Sequence, residues 1–364
     1  MNRRQFLRYS TTWGVSLAVG GIFSSCAQAP IKPADKALFK DLRIIDAHAH
    51  PDQFFASRPR ITDSSSTLKA IKAMKMAASS FAAVGDLSYL SPGAGLGPYY
   101  QNTKAQLIRV KGLAESGQVK WVLKATDVPS VVDSDFPPGA ILSIEGGDPL
   151  DGNPDRVNEF YQLGVRMITL VHFHNNELGD VMAKFGKRDP GPMHNGLTLS
   201  GRKVVERMQE LGMVVDVAHA HPVTLKQIAE MSQKPLLDSH TSPCAGEDPS
   251  QCHRFRTWKD MEIVVKTGGV VCTWPFAYKR GASIRKTFLD WAKETLEMKT
   301  RLGMDHVGLG TDGGGNIPSF IDGYRDVRDL VYLVAAMQEV GLSSEDIKSY
   351  MGGNLYRLLQ QCIG

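Results

Sequence analysis

Two histidines, spaced two residues apart at the end of a short apolar run, are the first residues with recognisable chemistry. The run covers residues 44–50 and ends in His48 and His50. In a β-strand, side chains at positions i and i+2 point to the same face. Both imidazoles are therefore expected to reach one point just beyond the strand. Because neutral imidazole nitrogen is a common ligand for zinc and similar metals, this spacing predicts part of a metal site.

Other apolar runs also end in a residue that can bind a metal or exchange a proton. These residues are, in chain order, Glu145, His172, His219, His240 and Asp312. A single histidine after an apolar run is more often a hydrogen-bonded packing residue, and Asp312 before three glycines could mark a turn. Because such residues recur at one strand end after another, we interpret them together as one metal centre.

The elements that must position these residues alternate between short apolar runs and amphipathic segments. The apolar runs are 42–47, 81–86, 140–145, 165–171, 213–218, 235–239, 269–274 and 306–311, and 119–123 is a candidate for an additional strand. Helix-like segments between them cover 68–79, 103–116, 200–211, 223–231 and 284–302. This alternation is typical of βαβ units in a parallel sheet. Eight runs predict a (β/α)₈ barrel of the TIM type, with a doubly wound sheet as the alternative.

The segments outside the predicted barrel differ in composition from it. The first 29 residues carry Arg3 and Arg4 before an apolar stretch that is shorter than the ~20 residues of a membrane-spanning helix. Paired arginines are typical of the twin-arginine export signal of bacteria, and an ordinary export signal is the alternative. Residues 30–41 are interpreted as a linker and 42–364 as a single domain. The loop 173–198, rich in Pro, Gly and Asn, is expected to cover the site.

Two endings of the signal remain open. Cleavage after residues 27–29 would release a periplasmic protein, whereas a lipoprotein-like box would leave Cys26 lipidated and the protein anchored at the cell envelope. In either case the mature protein lies outside the cytoplasm, where thiols can oxidise. Cys244 and Cys252 share one loop and are the candidate pair, and the alternative is that all remaining cysteines stay reduced.

Composition and missing motifs exclude several classes of protein. The net charge is only +4 at pH 7, and no lysine- and arginine-rich stripe with interleaved aromatic residues occurs, so no nucleic-acid partner is expected. The chain contains no Gly-x-Ser-x-Gly motif, which argues against a serine hydrolase. The glycine-rich segment 310–315 is not followed by the Lys-Ser/Thr pair and the helix start of a phosphate-binding loop.

Taken together, the motifs resemble the membrane dipeptidase (renal dipeptidase) family of metallopeptidases, within the amidohydrolase-like barrels. The matching segments, in the family's order, are 46–50, 144–147, 164–172 with Asn175, 215–219, 238–242, 308–314 and 352–357. The resemblance implies a TIM-type barrel with two divalent ions, expected to be zinc, that hydrolyses dipeptides with a metal-bridging hydroxide. It also implies a homodimer.

The resemblance also implies a role for each matching residue. The expected metal ligands are His48 and His50 at the first ion, Glu145 as the bridge, and His219 and His240 at the second ion. His172 would contact the substrate or stabilise the developing oxyanion, and Asp312 would transfer protons. An arginine after the His240 loop would hold the terminal carboxylate of the substrate. Arg256 is the candidate for that role and Arg254 the runner-up.

The chain departs from the family at its opening motif. The family usually has His-x-Asp, whereas this chain has His48-Ala49-His50. Histidine still ligates but brings no negative charge, which would weaken the first site or favour a different metal. Other polar residues near strand ends are expected to support the ligands or the substrate. They are Asp216, Asp238, His174 and His221. For the two aspartates the alternative is buried packing or capping, and for the two histidines it is a hydrogen-bonded packing role.

Three functional hypotheses follow. The first is an exported metal-dependent dipeptidase. The second is an amidohydrolase of other specificity, such as a lactonase, deacylase or phosphoesterase. The His48-x-His50 motif is more typical of these relatives, and a bridging lysine, for which Lys124 is the candidate, would favour this reading. The third is a binding protein that retained the barrel and lost turnover.

Overall fold

The computed structural model describes most of the chain. The described residues are 31–34, 39, 41–51, 67–90, 95, 97–130, 137–182, 193–244, 254–280, 283–315 and 317–364. All structural statements below concern the compact unit Lys32–Gly364. The predicted export signal, Cys26 and Cys252 lie outside the described residues. Within the described part of the chain, no helix is both long enough and apolar enough to cross a membrane.

Eight parallel strands form the barrel that the alternating pattern predicted. In order around the sheet they are β1 (Ile45–Asp46), β2 (Ala78–Val84), β4 (Gly139–Glu145), β5 (Met167–Thr169), β6 (Val214–Asp216), β7 (Leu237–Thr241), β8 (Val270–Thr273) and β11 (Val307–Leu309). The additional strand β3 (Lys120–Trp121) pairs with β4, as the sequence suggested. A separate antiparallel hairpin consists of β9 (Tyr278–Arg280) and β10 (Ser283–Arg285).

Backbone hydrogen bonds between the first and last strands close the barrel. Ala47 donates its N–H to the carbonyl of Leu309 at 2.9 Å, and Asp312 donates to the carbonyl of His48 at 2.8 Å. A parallel bridge joins Ala49 to Gly313. The prediction of a (β/α)₈ barrel is therefore confirmed, and the doubly wound alternative is wrong, because an open sheet would leave these two edges unpaired.

The helices of the described chain lie between and after the strands. They are α1 (Thr67–Ala73), α2 (Leu87–Leu90), α3 (Tyr99–Glu115), α4 (Asp155–Gln162), α5 (Leu199–Glu210), α6 (Pro222–Met231), α7 (Trp258–Lys266), α8 (Phe288–Leu302), α9 (Leu330–Glu339), α10 (Ser344–Lys348) and α11 (Asn354–Ile363). The last helix, α11, packs Leu355 and Leu358 against the first residues of several strands, including Met167 and Val214. It covers the N-terminal end of the barrel, which leaves the C-terminal end for the site.

Two predicted helices are wrong at one end. The helix expected over 68–79 stops at Ala73, because Lys75 has a left-handed backbone with φ 52° and the chain then enters β2. The helix expected over 284–302 begins only at Phe288, where Thr287 and Asp290 form a reciprocal capping box. The apolar residues before that cap therefore belong to β10 rather than to the helix.

The loop predicted to cover the site is described on both sides of residues 183–192. Asp180 organises it, because its carboxylate accepts backbone N–H groups from Met193 and Gly196, each at 2.8 Å. Cys244 is disulfide-bonded, whereas Cys272 and Cys362 are buried free thiols. The pairing of Cys244 with Cys252 stays a prediction.

Candidate metal centre

The predicted ligands and proton carriers come together at the C-terminal ends of the strands. Seven residues meet there, and each is at most 9% exposed: His48, His50, Glu145, His172, His219, His240 and Asp312. They come from six different strand ends, separated by up to 264 positions in the chain (312 − 48). Only closure of the barrel brings residues so far apart in sequence to one place.

Glu145 lies at the centre of this group. Five histidine Nε2 atoms face its two carboxylate oxygens. Oε1 lies 3.2 Å from His219, 3.3 Å from His172, 3.4 Å from His48 and 3.5 Å from His240, and Oε2 lies 3.2 Å from His50. A single carboxylate cannot accept a separate strong hydrogen bond from every imidazole in so small a space. The arrangement is that of a carboxylate able to bridge two cations, each with its own histidines.

The donor atoms fit metal ions in spacing and in orientation. Two of the sets whose ligand atoms all lie within 4.8 Å of one another contain Glu145: one adds His48 and His50, and the other adds His219 and His172. The second set therefore has His172 where the sequence predicted His240. The opposite ring nitrogens contact protein groups. Nδ1 of His50 lies 2.8 Å from the carbonyl oxygen of Ala82, and Nδ1 of His240 lies 3.0 Å from the hydroxyl of Ser239. Contacts of this kind hold a ring so that Nε2 faces the centre.

Burial and neighbouring charge set the protonation of the histidines. Burial, assisted by the positive charge of Arg254, lowers the pKa of His219 well below its ordinary value. Burial, together with the neighbouring His48, does the same to the pKa of His240. Both rings are therefore neutral near pH 7, which is the form that ligates metals. Burial would lower the pKa of His48 as well, but the charges of Glu145 and Asp312 overcome it and raise that pKa to about 9.

The pKa values of the two carboxyl groups of the centre are shifted in opposite directions. Burial raises the pKa of Glu145, but the charges of His172 and His48 outweigh it and hold the pKa well below the ordinary value. Burial raises the pKa of Asp312, with His50 opposing it. Asp312 Oδ1 lies 3.5 Å from His50 Nε2. A carboxylate that stays ionised suits a metal bridge, and one that binds protons more readily suits a proton carrier. Glu145 and Asp312 differ in this way.

Asp216 supports the ligands, as the sequence suggested. Its carboxylate accepts the hydroxyl of Ser239 at 2.7 Å, the N–H of Ala218 at 3.0 Å and the hydroxyl of Thr169 at 2.5 Å. Ser239 in turn contacts Nδ1 of His240 and, at 3.4 Å, Nδ1 of His48. One buried aspartate therefore joins the ends of β5, β6 and β7 and reaches two of the predicted ligands.

Two site residues have a strained backbone. His219 has φ 65° and Asp312 has φ 50°, so both lie in the left-handed region that residues other than glycine rarely adopt. Such conformations cost on the order of 1–3 kcal/mol each and persist where the surrounding structure enforces them. Here they aim both side chains into the cluster from the turns that follow β6 and β11.

The structure does not bring Arg256 to the cluster in the way the sequence suggested. Its guanidinium is 1% exposed and donates to Asp238 at 2.7 Å, to the carbonyl of Ala220 at 2.5 Å and to the carbonyl of Val217. These bonds engage all three guanidinium nitrogens inside the protein, so Arg256 ties β6 to β7. Asp238, which was expected to support a ligand, is its ion-pair partner instead.

Arg254 is the arginine whose charge acts on the cluster. Its Nη1 donates to the carbonyl of His172 at 2.7 Å. Burial lowers the pKa of Arg254 to about 10, with Glu145, Asp86 and Asp312 opposing the shift. Since Arg254 also lowers the pKa of His219, it lies within electrostatic reach of both the bridging carboxylate and a predicted ligand.

Three further sequence predictions have structural outcomes. His221 is the N-cap residue of α6 and accepts the N–H of Val223 at 3.3 Å, a contact that the sequence did not predict. His174 lies 2.8 Å from Asp148 and stacks on Tyr89 beside the cluster. Lys124 is exposed after β3 and its backbone N–H donates to Asp127, whereas Glu145 lies among the histidines.

The sequence analysis missed Asp86 as a site residue. It follows β2 and is fully buried, with Oδ1 2.9 Å from Nδ1 of His172. The available signal was the same one that identified the other residues, because the apolar run 81–86 ends in this aspartate.

A closed parallel barrel with histidines and carboxylates converging on one buried glutamate defines the class of metal-dependent amidohydrolase-like barrels. The chain belongs to the membrane dipeptidase family, peptidase family M19, whose model matches residues 34–363. The family resemblance noted from the motifs is thus confirmed.

Dipeptidase verJ of Clonostachys rogersoniana is 30% identical over 220 residues, which cover 60% of this chain and 54% of that protein. The chain spans about half the length of the curated relatives it matches.

Solved structures share the fold over nearly the whole described domain. The probable dipeptidase PvdM from Pseudomonas aeruginosa has a TM-score of 0.76 at 18% identity, covering 90% of this chain and 97% of that chain. A metallopeptidase from Rhodobacter sphaeroides, solved with a phosphinate mimic of the dipeptide L-Ala-D-Ala, has a TM-score of 0.73 at 21% identity, with coverages of 88% and 99%. At these identities the likeness establishes the barrel fold.

Proposed function

We propose that the protein is an exported metallo-dipeptidase that hydrolyses the amide bond of dipeptides. The observation that carries this proposal is the convergence of five histidine Nε2 atoms on the carboxylate of Glu145, in a chain of the membrane dipeptidase family. His48 and His50 would hold one divalent ion, His219 and His240 a second, and Glu145 would bridge them. Zinc is the metal expected for such a histidine-rich set.

Residues around the ions would transfer the protons and stabilise the oxyanion. Bound divalent ions supply Lewis acidity and lower the pKa of water to near neutrality. Asp312, whose pKa is raised by burial, would accept a proton from the attacking water and deliver it to the leaving amine. His172 faces the centre through Nε2 and would donate a hydrogen bond to the oxyanion that forms on the substrate carbonyl.

Arg254 is the proposed partner of the substrate's terminal carboxylate, in place of Arg256. Its guanidinium acts electrostatically on Glu145, Asp312 and His219, whereas that of Arg256 is committed to Asp238 and two carbonyls. A carboxylate held beside the two ions would place the neighbouring amide bond over them, which supplies the orientation that hydrolysis needs.

The proposal is tested with purified, zinc-loaded protein. We expect about two zinc ions per chain by elemental analysis, and hydrolysis in a panel of L,L- and L,D-dipeptides. The panel should include L-Ala-D-Ala, because one structural neighbour was solved with a mimic of it. His240→Ala is expected to abolish turnover, and the exposed surface variant Lys226→Ala is the control that should not. Turnover of lactones, N-acyl amino acids or phosphoesters without dipeptide cleavage would support the second hypothesis, and zinc binding without any turnover the third.

Export is the second part of the proposal. The paired Arg3 and Arg4 support twin-arginine transport, and the disulfide at Cys244 is expected of a protein that folds or matures in an oxidising compartment. Fractionation of bacteria that express the full chain should place it in the periplasm or envelope, and the pair Arg3→Lys and Arg4→Lys should retain it in the cytoplasm. Equal export of both forms would contradict the twin-arginine route. Membrane attachment through Cys26 and a homodimer are proposed on the sequence alone.

A further inference from the structure

Asp86 uses both carboxylate oxygens on the segment that carries His172. Oδ1 lies 2.9 Å from His172 Nδ1, and Oδ2 accepts the backbone N–H of Phe173 at 2.9 Å. The carboxylate is fully buried. A buried aspartate that contacts both the ring and the adjacent main chain constrains where that ring can lie.

The backbone around Asp86 leaves it little freedom. Gly85 donates its N–H to the carbonyl of Glu145 at 2.7 Å, and a Cβ at Gly85 would lie 1.9 Å from the carbonyl oxygen of Gly146. A Cβ at Gly146 would lie 3.3 Å from the Cβ of His172 and 3.4 Å from the Cγ of Asp86. The ends of β2 and β4 therefore lie close together, and Asp86 and His172 both border the position that a side chain at residue 146 would take.

The chemistry of the pair determines which nitrogen of His172 faces the cluster. An ionised carboxylate only accepts hydrogen bonds, so Nδ1 of His172 must carry the shared proton. Nε2 then points to Glu145 Oε1 at 3.3 Å, and it can donate to an oxyanion when the ring carries a proton on both nitrogens. A flipped ring would break the Nδ1 contact and aim carbon atoms at the bridging carboxylate.

We propose that Asp86 is a positioning residue for the hydrolytic reaction, which fixes the ring orientation of His172 by holding its Nδ1–H. The inference rests on the proposed function, because His172 is useful to catalysis only where a carbonyl oxygen develops charge beside the metal ions. Arg254 contacts the same segment through the carbonyl of His172. Asp86 and Arg254 together thus set the main chain, and Asp86 alone contacts Nδ1 among the described residues.

Asp86→Asn is the most selective substitution. Asparagine has almost the same shape and can accept from Phe173 N–H through its oxygen, but its amide would then present a donor to Nδ1. The imidazole would have to give up its Nδ1 proton or rotate. Loss of a residue that orients a functional histidine typically costs 10–100-fold. We expect a fall of about that size in kcat, with a change in KM below about threefold and an unchanged zinc content.

Two measurements separate positioning from a merely structural role. In the His172→Gln background, Asp86→Asn is expected to cause no further loss of kcat, because the group that it positions is absent. In zinc-loaded protein with ¹⁵N-labelled histidine, one Nδ1–H resonance is expected to disappear in Asp86→Asn and in His172→Gln. Asp346→Asn is the matched control, since that aspartate also accepts a backbone N–H, from Ser343 at 2.8 Å, and a side chain, from Lys299 at 2.6 Å. It should leave the resonance and kcat unchanged.

The outcomes also separate this inference from the proposed function. An unchanged kcat in Asp86→Asn, an equal loss in both backgrounds, or a retained Nδ1–H resonance would overturn the role of Asp86. Loss of zinc in Asp86→Asn would also overturn it, since Asp86 would then act on the metal rather than on His172. If wild-type protein cleaves no dipeptide but the resonance still depends on Asp86, the proposed function fails and the orientation of His172 by Asp86 stands.

Discussion

Replacing Glu145 with glutamine is expected to remove bound zinc and to lower kcat/KM for dipeptides by roughly 10³-fold or more. This loss exceeds the 10–100-fold that is typical when a residue that only supports a metal ligand is removed. The reason is that this one carboxylate faces all five histidine Nε2 atoms of the centre at 3.2–3.5 Å. Glutamine keeps the volume but loses the negative charge and offers only one acceptor oxygen, so it cannot bridge two cations.

The measurement is zinc content by elemental analysis beside steady-state kinetics on the same preparations. Glu159→Gln is the matched control, because Glu159 is also a hydrogen-bonded glutamate but lies on the surface, where it accepts the Tyr100 hydroxyl. Its zinc content and kinetics should equal those of the wild type. A Glu145→Gln protein with two zinc ions and near-normal turnover would show that the bridge lies elsewhere and would remove the main support for the proposed mechanism.

Replacing Arg256 with methionine is expected to destabilise the protein by about 3–5 kcal/mol, the usual cost of removing one partner from a buried ion pair. Asp238 is fully buried and would lose its cationic partner, and the carbonyls of Ala220 and Val217 would lose their donors. The free energy of unfolding, measured by urea denaturation, reports the effect. A change below about 1 kcal/mol would show that the internal network around Arg256 contributes little.

Arg254→Met is the matched comparison for Arg256→Met. Charge-assisted hydrogen bonds contribute about 1.5–3 kcal/mol, so loss of the proposed carboxylate partner should lower kcat/KM roughly 10- to 100-fold. The loss should appear mainly in KM. With a dipeptide amide, which lacks the terminal carboxylate, the loss caused by the variant should be clearly smaller than with the dipeptide. If Arg256→Met rather than Arg254→Met showed this substrate dependence while remaining stable, the original assignment from the sequence would be restored.

His50, where the chain departs from the family's usual aspartate, lies beside two carboxylates. Its Nε2 is 3.2 Å from Glu145 and 3.5 Å from Asp312. Both carboxylates come from other strand ends. The spacing of His48 and His50 could show that both rings reach one point, but not that Asp312 lies beside them.

The sequence by itself determined the barrel and most of the cluster. Short apolar runs and helical periods alternate along the chain, and this local pattern is enough to predict parallel strands whose C-terminal ends meet. The residues that end those runs, from His48 to Asp312, could therefore be assigned to one site before their distances were known. The boundaries of two helices were wrong because a left-handed Lys75 and the Thr287 cap override apolar periodicity.

Only the tertiary structure decided which of two neighbouring arginines acts on the centre and which aspartate holds His172. Arg254 and Arg256 are two residues apart with the same chemistry, and their different roles depend on contacts with β5, β6 and β7 that have no trace in local sequence. Asp86 likewise meets His172 across 86 positions, through the packing of β2 against β4. Residue types and the spacing of apolar residues determine which functional side chains lie at a strand end, whereas closure of the barrel determines which residues those side chains contact.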